Sequence, residues 1–168
     1  MTERMMLSRR ELLAGAAGCL FGACSSAPST GPAMLEAHLD AATDKSIDLG
    51  LDAQPVEVVA HEWLLRELLA NLVDNAVKYT PERGTITIRC GWRGDRPFLE
   101  VEDDGPGIAP AERQRVLERF YRLRGTKGEG TGLGLAIADE IARVHHGHLE
   151  LDAGSDGRGL RVSLVFAG

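Results

Sequence analysis

Cysteine, basic excess and long apolar runs are all scarce in this chain of 168 residues. Its three cysteines, Cys19, Cys24 and Cys90, are odd in number and none sits in a CxxC pair. Neither a zinc site nor a disulfide scaffold is therefore indicated. The five histidines (His38, His61, His145, His146 and His148) include no HExxH. No stretch reaches the roughly 18 uninterrupted apolar residues of a clear membrane span. Lys and Arg number 19 against 25 Asp and Glu, a net charge of −6. That balance argues against a general nucleic-acid binder, which would carry a basic excess. What is present is ordinary for a globular chain, with 43% apolar and 26% charged residues, so disorder over the whole chain is excluded. One domain is expected at this length. Such a chain hides roughly two-thirds of its unfolded surface and needs no staple.

Residues 1–30 differ from the rest. Arg4, Arg9 and Arg10 precede a small-residue apolar run from Leu12 to Ala23, and a Ser/Ala/Pro stretch follows Cys24. This is the layout of a secretory signal. Ser8-Arg9-Arg10-Glu11-Leu12-Leu13 resembles a twin-arginine export motif, and Phe21-Gly22-Ala23-Cys24 resembles a lipobox. A frayed amphipathic helix or a wrongly chosen translation start gives the same pattern.

Beyond a linker-like Pro28–Pro32, residues 33–45 read as a short helix, with Leu35 and Leu39 one turn apart. Ile47, Leu49 and Leu51 alternate with polar residues or glycine as in a half-buried strand, and Val56–Val59 is a second β run. From His61 to Tyr79, Leu65, Leu68, Leu69, Leu72, Val73 and Ala76 recur at helical spacing. Thr80-Pro81 ends that helix. Thr85–Cys90 and Phe98–Glu102 read as a hairpin around Arg93-Gly94-Asp95-Arg96. A helix is expected over Pro110–Tyr121, a polar mobile stretch over 122–130, and an amphipathic helix over Leu133–His146 closed by Gly147. His148–Asp152 and Leu160–Phe166 close the chain as a strand pair. The order predicts an α+β two-layer sandwich, a mixed sheet with helices on one face.

Three constellations carry chemistry. Asn71, Asn75 and Lys78 share one helix edge. Two amide oxygens one turn apart can hold Mg²⁺ beside phosphate oxygens and water, and a lysine one turn on can meet a phosphate. Asp103-Asp104-Gly105-Pro106-Gly107-Ile108 places a carboxylate at a strand end. It suits an exocyclic amine, and its glycines admit a flat ring. Gly128-Glu129-Gly130-Thr131-Gly132-Leu133-Gly134-Leu135 runs into a helix, an arrangement that binds anions. It is neither a Walker A loop nor part of a βαβ unit. Taken singly, the three also read as a solvated helix edge, an ordinary Asp-Gly turn and a glycine loop.

Together they have a family resemblance. Asn71-Leu-Val-Asp-Asn75-Ala-Val-Lys78-Tyr79, Asp103-x-Gly105-x-Gly107-Ile108, Glu118-Arg119-Phe120-Tyr121-Arg122 and Gly130-Thr-Gly132-Leu-Gly134-Leu are similar to four sequence boxes of sensor histidine kinases, in family order. They resemble the ATP-binding catalytic domain of those kinases, a GHKL ATPase, over roughly residues 46–166. The resemblance implies ATP and Mg²⁺ as cofactors. Asn75 would hold the metal with Asn71, and Lys78 would reach the phosphates; these three are the expected catalytic residues. Tyr79 and Ile108 would line the nucleotide. Asp103 would take the adenine amine above Gly105 and Gly107. Phe120 and Arg122 would anchor the lid, while Gly130, Thr131, Gly132, Leu133 and Gly134 would cradle the phosphates. Hydrolytic relatives place a glutamate at the Asn71 position. An amide is a poor general base, so phosphoryl transfer fits better than rapid hydrolysis.

The chain departs from the family in four respects. No histidine has the phosphoacceptor context, His-Glu/Asp followed soon by Pro, so autonomous autophosphorylation is not expected. Leu160 replaces a small hydroxyl residue common at its position, and the usual Leu-Pro ending is missing. The signal-like start conflicts with an ATP site, which implies a cytoplasmic domain, membrane-associated at most through its N-terminal segment. The expected divisions are a signal-like or spurious 1–30, a connector at 31–45 and the catalytic domain at 46–168. The reading is a truncated or misread sensor kinase that phosphorylates a histidine on a hairpin domain supplied in trans or by a missing segment, and so serves a response regulator. A stand-alone GHKL serine kinase of the anti-sigma-factor type and a non-catalytic remnant are the alternatives.

Overall fold

The computed structural model describes residues 3–7, 42–123 and 131–167. Among the described residues, and apart from the helical residues 42–44, seven strands and two α-helices run in the order β1 (Glu3–Leu7), β2 (Asp48–Ala53), β3 (Val56–Ala60), α1 (Glu62–Tyr79), β4 (Thr85–Arg93), β5 (Arg96–Asp103), α2 (Gly134–Val144), β6 (His148–Ala153) and β7 (Leu160–Val165). The main sheet has the strand order β2-β4-β5-β7-β6. β2 and β4 are parallel and every other pairing is antiparallel, so the sheet is mixed as expected. β1 lies antiparallel to β3 in a separate two-stranded sheet, from Glu3 opposite Ala60 to Leu7 opposite Val56. Residues 3–7 carry no strand in the sequence reading. The twin-arginine-like and lipobox-like stretches and most of the expected connector helix lie outside the described residues; residues 42–44 are helical.

Alternation decides which side of the sheet meets the helices. Ile86, Ile88 and Cys90 of β4, Leu99 and Val101 of β5, and Leu160, Val162 and Leu164 of β7 are all buried on one face. Against them packs the α1 stripe Leu65, Leu68, Leu69, Leu72, Val73 and Ala76, each buried as its spacing predicts. Asp103 continues the same alternation and so points to the helix side, between Ile86 and Leu160 in register. The other face is polar. There the Glu100 carboxylate, only 4% exposed, accepts bonds from Arg89 at 3.2 Å, Arg93 at 2.9 Å and the Ser163 hydroxyl at 2.7 Å. This mutual satisfaction offsets the desolvation of a charge that would otherwise oppose folding.

The C-terminal end of α1 is held by Lys45. Its ammonium donates to the carbonyls of Val77, Lys78 and Thr80 at 2.8, 3.1 and 3.2 Å. Carbonyls that a helix end leaves unpaired are thereby satisfied by a cation at the negative end of the helix dipole. At the other end, the buried His145 ring ties the two helices together. Its Nε2 accepts the His61 backbone N–H at 3.0 Å, and Nδ1 bonds the Ile141 carbonyl at 2.8 Å.

Three expectations need correction. The helix over Pro110–Tyr121 is instead two short 3-10 turns, Pro110–Glu112 and Arg115–Leu117. Of this stretch only Val116 is buried, so a continuous helix would have no apolar stripe to cover. Its polar side chains are used elsewhere. Arg113 donates to the carbonyls of Ile108 at 3.2 Å and Leu151 at 3.1 Å, and the Tyr121 hydroxyl donates to Glu112. Second, α2 ends with His146 in the left-handed conformation (φ 56°), so the residue that closes the helix precedes Gly147. Third, the hairpin strands run longer than predicted, to Arg93 opposite Arg96 around a two-residue turn.

Candidate functional site

One cavity of about 140 Å³ opens between α1, the loop after β5 and the start of α2. Roughly 15 Å³ suffices for one water, so this is ligand-sized space. α1 presents Asn71, Asp74, Asn75, Lys78 and Tyr79 to it. Their spacing of three and four residues puts them on one helix edge. Asp103, Pro106, Gly107 and Ile108 line it from β5 and its loop. Leu160 contributes from β7, and Thr131, Gly132, Gly134 and Leu135 come from the entry into α2. Val116, Tyr121, Arg122 and Leu123 close the remaining side.

Asp103 is the buried charge of the site, 6% exposed. Its Oδ1 accepts the Gly105 N–H at 2.9 Å and the Leu160 N–H at 3.3 Å. Both donors converge on that one oxygen, and Oδ2 takes no hydrogen bond from any described residue. Burial pushes the pKa of Asp103 up from an ordinary 3.8 to about 6; the two amides oppose the rise, and Asp104 and Glu102 add to it. An acceptor so placed can take a hydrogen bond from a donor entering the cavity.

On α1, the Asn71 side-chain amide donates to the Glu67 carbonyl at 2.8 Å, which turns its oxygen toward Gly134. Asn75 is half-buried and makes no side-chain hydrogen bond to any described residue. Among the described residues no three His, Cys, Asp or Glu gather as a metal cage. Two amide oxygens on one helix fit a hard cation that takes its other ligands from phosphate and water. Across the cavity, α2 starts at Gly134 without a side-chain cap. Its first amides are therefore available to an anion.

Gly107 and Gly132 are fixed by backbone approach as well as conformation. Gly107 has φ 71°, and a Cβ there would lie 2.4 Å from the Gly159 carbonyl oxygen. Gly132 has φ 69°, and a Cβ would lie 2.7 Å from the Tyr121 oxygen. The Gly132 carbonyl also accepts the Phe120 N–H at 3.0 Å, so the second glycine box packs on the Phe120-Tyr121 turn.

The cavity brings together Asn71, Asn75, Lys78, Tyr79, Asp103, Gly107, Ile108, Arg122, Thr131, Gly132 and Gly134 of the expected residues. Gly105 acts from behind through its bond to Asp103. Leu133 precedes α2, where its carbonyl accepts the Ile137 N–H at 2.8 Å. Phe120 does not line the cavity; it is 72% exposed with φ 64°, and Tyr121 takes the inward place. Gly130 lies outside the described residues, as does the rest of 124–130. Sequence reasoning did not assign Asp74, Pro106, Val116, Tyr121, Leu123, Leu135 and Leu160 to the site. Asp74 was findable, because it falls three residues after Asn71 on the same helix edge. Leu160 drew notice only as a departure from the family, because its place beside Asp103 depends on the pairing of β5 with β7.

Comparisons with known proteins agree with this fold. Residues 60–167 match the family model of the histidine kinase-, DNA gyrase B- and HSP90-like ATPases. The chain is 42% identical over 126 residues to the sensor protein kinase PmrB of Pseudomonas aeruginosa, covering 74% of this chain and 26% of that protein. Among solved structures, the mycobacterial sensor histidine kinase MprB superposes with a TM-score of 0.69 at 29% identity, over 80% of this chain and 93% of that one. Full-length ShkA in complex with AMPPNP superposes with a TM-score of 0.64 at 28% identity, over 94% of this chain and 34% of that one. The chain spans about a quarter to a third of the length of the first curated relatives it matches. With the family model covering well over half of its residues, on the mixed sheet and cavity described above, the chain belongs to the histidine kinase-, DNA gyrase B- and HSP90-like ATPase family.

Proposed function

We propose that residues 46–168 form the Mg-ATP-binding catalytic domain of a sensor histidine kinase, which transfers the γ-phosphoryl group to a histidine on a separate hairpin domain. The observation that carries this reading is one cavity with two unlike ends. At one end is the buried Asp103 carboxylate with an open oxygen, and at the other the uncapped start of α2. A purine bearing an exocyclic amine fits the first, and a phosphate chain fits the second. ShkA, which resembles this chain in fold, holds AMPPNP, an ATP analogue.

In this reading Asp103 accepts the adenine amine, and Tyr79 and Ile108 flank the ring. Lys78 and Arg122 face the phosphates, with the first amides of α2 and Thr131 beside them. Asn75 and Asn71 hold Mg²⁺, which neutralises phosphate charge when bound. Asn71 orients rather than abstracts, because its amide nitrogen is committed to Glu67 and an amide takes up no proton at neutral pH. Catalysis then consists of positioning and charge neutralisation. The partners implied are a phosphoacceptor hairpin and a downstream response regulator.

Incubation of the full chain with γ-labelled ATP, Mg²⁺ and the isolated hairpin of a relative tests this reading. Label should reach the hairpin histidine, and Asn75→Ala should abolish the transfer while the fold persists by circular dichroism. Release of free phosphate at the same rate with and without the hairpin would overturn it.

A further inference from the structure

We propose that Glu112 and Arg115 are positioning residues for the nucleotide site: together they clamp Tyr121, and through it hold Arg122 toward the phosphates. This rests on the ATP reading above and extends it to two residues outside the cavity. The clamp is built from three contacts. The Tyr121 hydroxyl donates to the Glu112 carboxylate. The Arg115 guanidinium lies over the Tyr121 ring, 4.5 Å from its centroid, and donates to Glu112 at 3.5 Å. One face of the ring and its hydroxyl tip are thereby taken, which leaves the other face to the cavity that Tyr121 lines. Neither Glu112 nor Arg115 lines that cavity, so both act through Tyr121.

The clamp joins two fixed points. Glu112 lies in the first 3-10 turn, where its neighbour Arg113 is bonded to the carbonyls of Ile108 and Leu151, and the buried Val116 roots the second turn in the core. On the other side, the Phe120 N–H is bonded to the Gly132 carbonyl, and the Tyr121 backbone oxygen lies against Gly132 at the entry to α2. Phe120 itself is held at φ 64° with its ring exposed. A bulky side chain avoids that conformation, so the contacts around the turn must hold it there. The result is direction: Tyr121 faces inward, and Arg122, the next residue, lines the cavity beside it. The Arg115 and Glu112 side chains are 55% and 31% exposed, and a pair so exposed adds little to stability. Its consequence is orientation. A guanidinium already held toward the phosphates binds them more tightly than one that must be ordered on binding.

Calorimetric titration of the full chain with ATP and Mg²⁺, beside urea unfolding, tests the proposal on wild type, Glu112→Ala, Glu112→Gln, Tyr121→Phe and Arg122→Met. Glu112→Ala and Tyr121→Phe should each weaken ATP binding about tenfold with little change in the urea midpoint. Glu112→Gln should recover most of the loss, because its amide oxygen still accepts the hydroxyl. In the Arg122→Met background, adding Glu112→Ala should cost less than about threefold, since the clamp acts through Arg122. Affinities within about twofold of wild type for both Glu112→Ala and Tyr121→Phe overturn the proposal. So does a Glu112→Gln variant as weak as Glu112→Ala, or a Glu112→Ala cost as large without Arg122 as with it. No ATP binding by folded wild type would overturn the ATP reading itself, and this proposal with it.

Discussion

Asp103 is where the chemistry of single residues can be worked through most fully. Its carboxylate is buried and its pKa stands at about 6 against an ordinary 3.8, so the fold favours the neutral form. Between pH 3.8 and 6 the native state binds more protons than the unfolded one, and stability falls as pH rises through that window. The loss is at most about 3 kcal/mol, and Asp103→Asn should remove this part of the pH profile of chemical denaturation. Ligand binding runs the opposite way, because the amine needs the ionised carboxylate. ATP affinity should weaken as pH drops below about 6, and Asp103→Asn should weaken binding at pH 7 by about 1.5–3 kcal/mol. Titration across pH 5–8 (wild type beside the variant) checks both, and a flat wild-type profile would contradict the role given to Asp103. The residue itself was legible from its strand-end position before two glycines. Its environment was not, since Leu160 lies 57 positions away in the chain and only sheet pairing brings its N–H to Oδ1.

Elements with one strong apolar stripe were easy to read, and elements without one were not. α1 appears as its leucine spacing requires, because every stripe position is buried against the sheet. Leu68 and Leu72 are among the most buried side chains, and Leu68→Ala should lower stability by about 2–5 kcal/mol in urea unfolding. Residues 110–121 carry helix-compatible letters but only one buried position, so tertiary bonds from Arg113 and Tyr121 decide their path. Lys45 was similarly invisible, since nothing local marks a lysine that will cap a helix more than thirty residues away. Lys45→Met should cost about 1.5–3 kcal/mol by removing charged bonds to carbonyls at the end of α1. Because Lys78 and Tyr79 sit in that last turn, the same variant should also weaken nucleotide binding, with Lys45→Arg recovering part of both losses.

At the scale of the whole molecule, the mixed sheet does two jobs with its two faces. On the charged face the Glu100 carboxylate is satisfied by Arg89, Arg93 and Ser163, while the buried Arg161 Nε nearby has no hydrogen-bond partner among the described residues, and the apolar face sets the height at which Asp103 meets α1. None of the described helices is long and apolar enough to cross a membrane. The α+β architecture was legible because strand alternation and helix spacing agree along most of residues 46–166. The pairing of β1 with β3 was not, because a basic start preceding an apolar run reads as a signal whatever it later pairs with. The central claim is that this fold holds a live nucleotide site, and one titration tests it most directly. Calorimetry of the full chain with ATP, with and without Mg²⁺, should give binding in the micromolar range that tightens with the metal. Binding at 100 times the dissociation constant should also stabilise the fold by about 2.7 kcal/mol. A folded chain that binds no ATP under either condition would contradict the account.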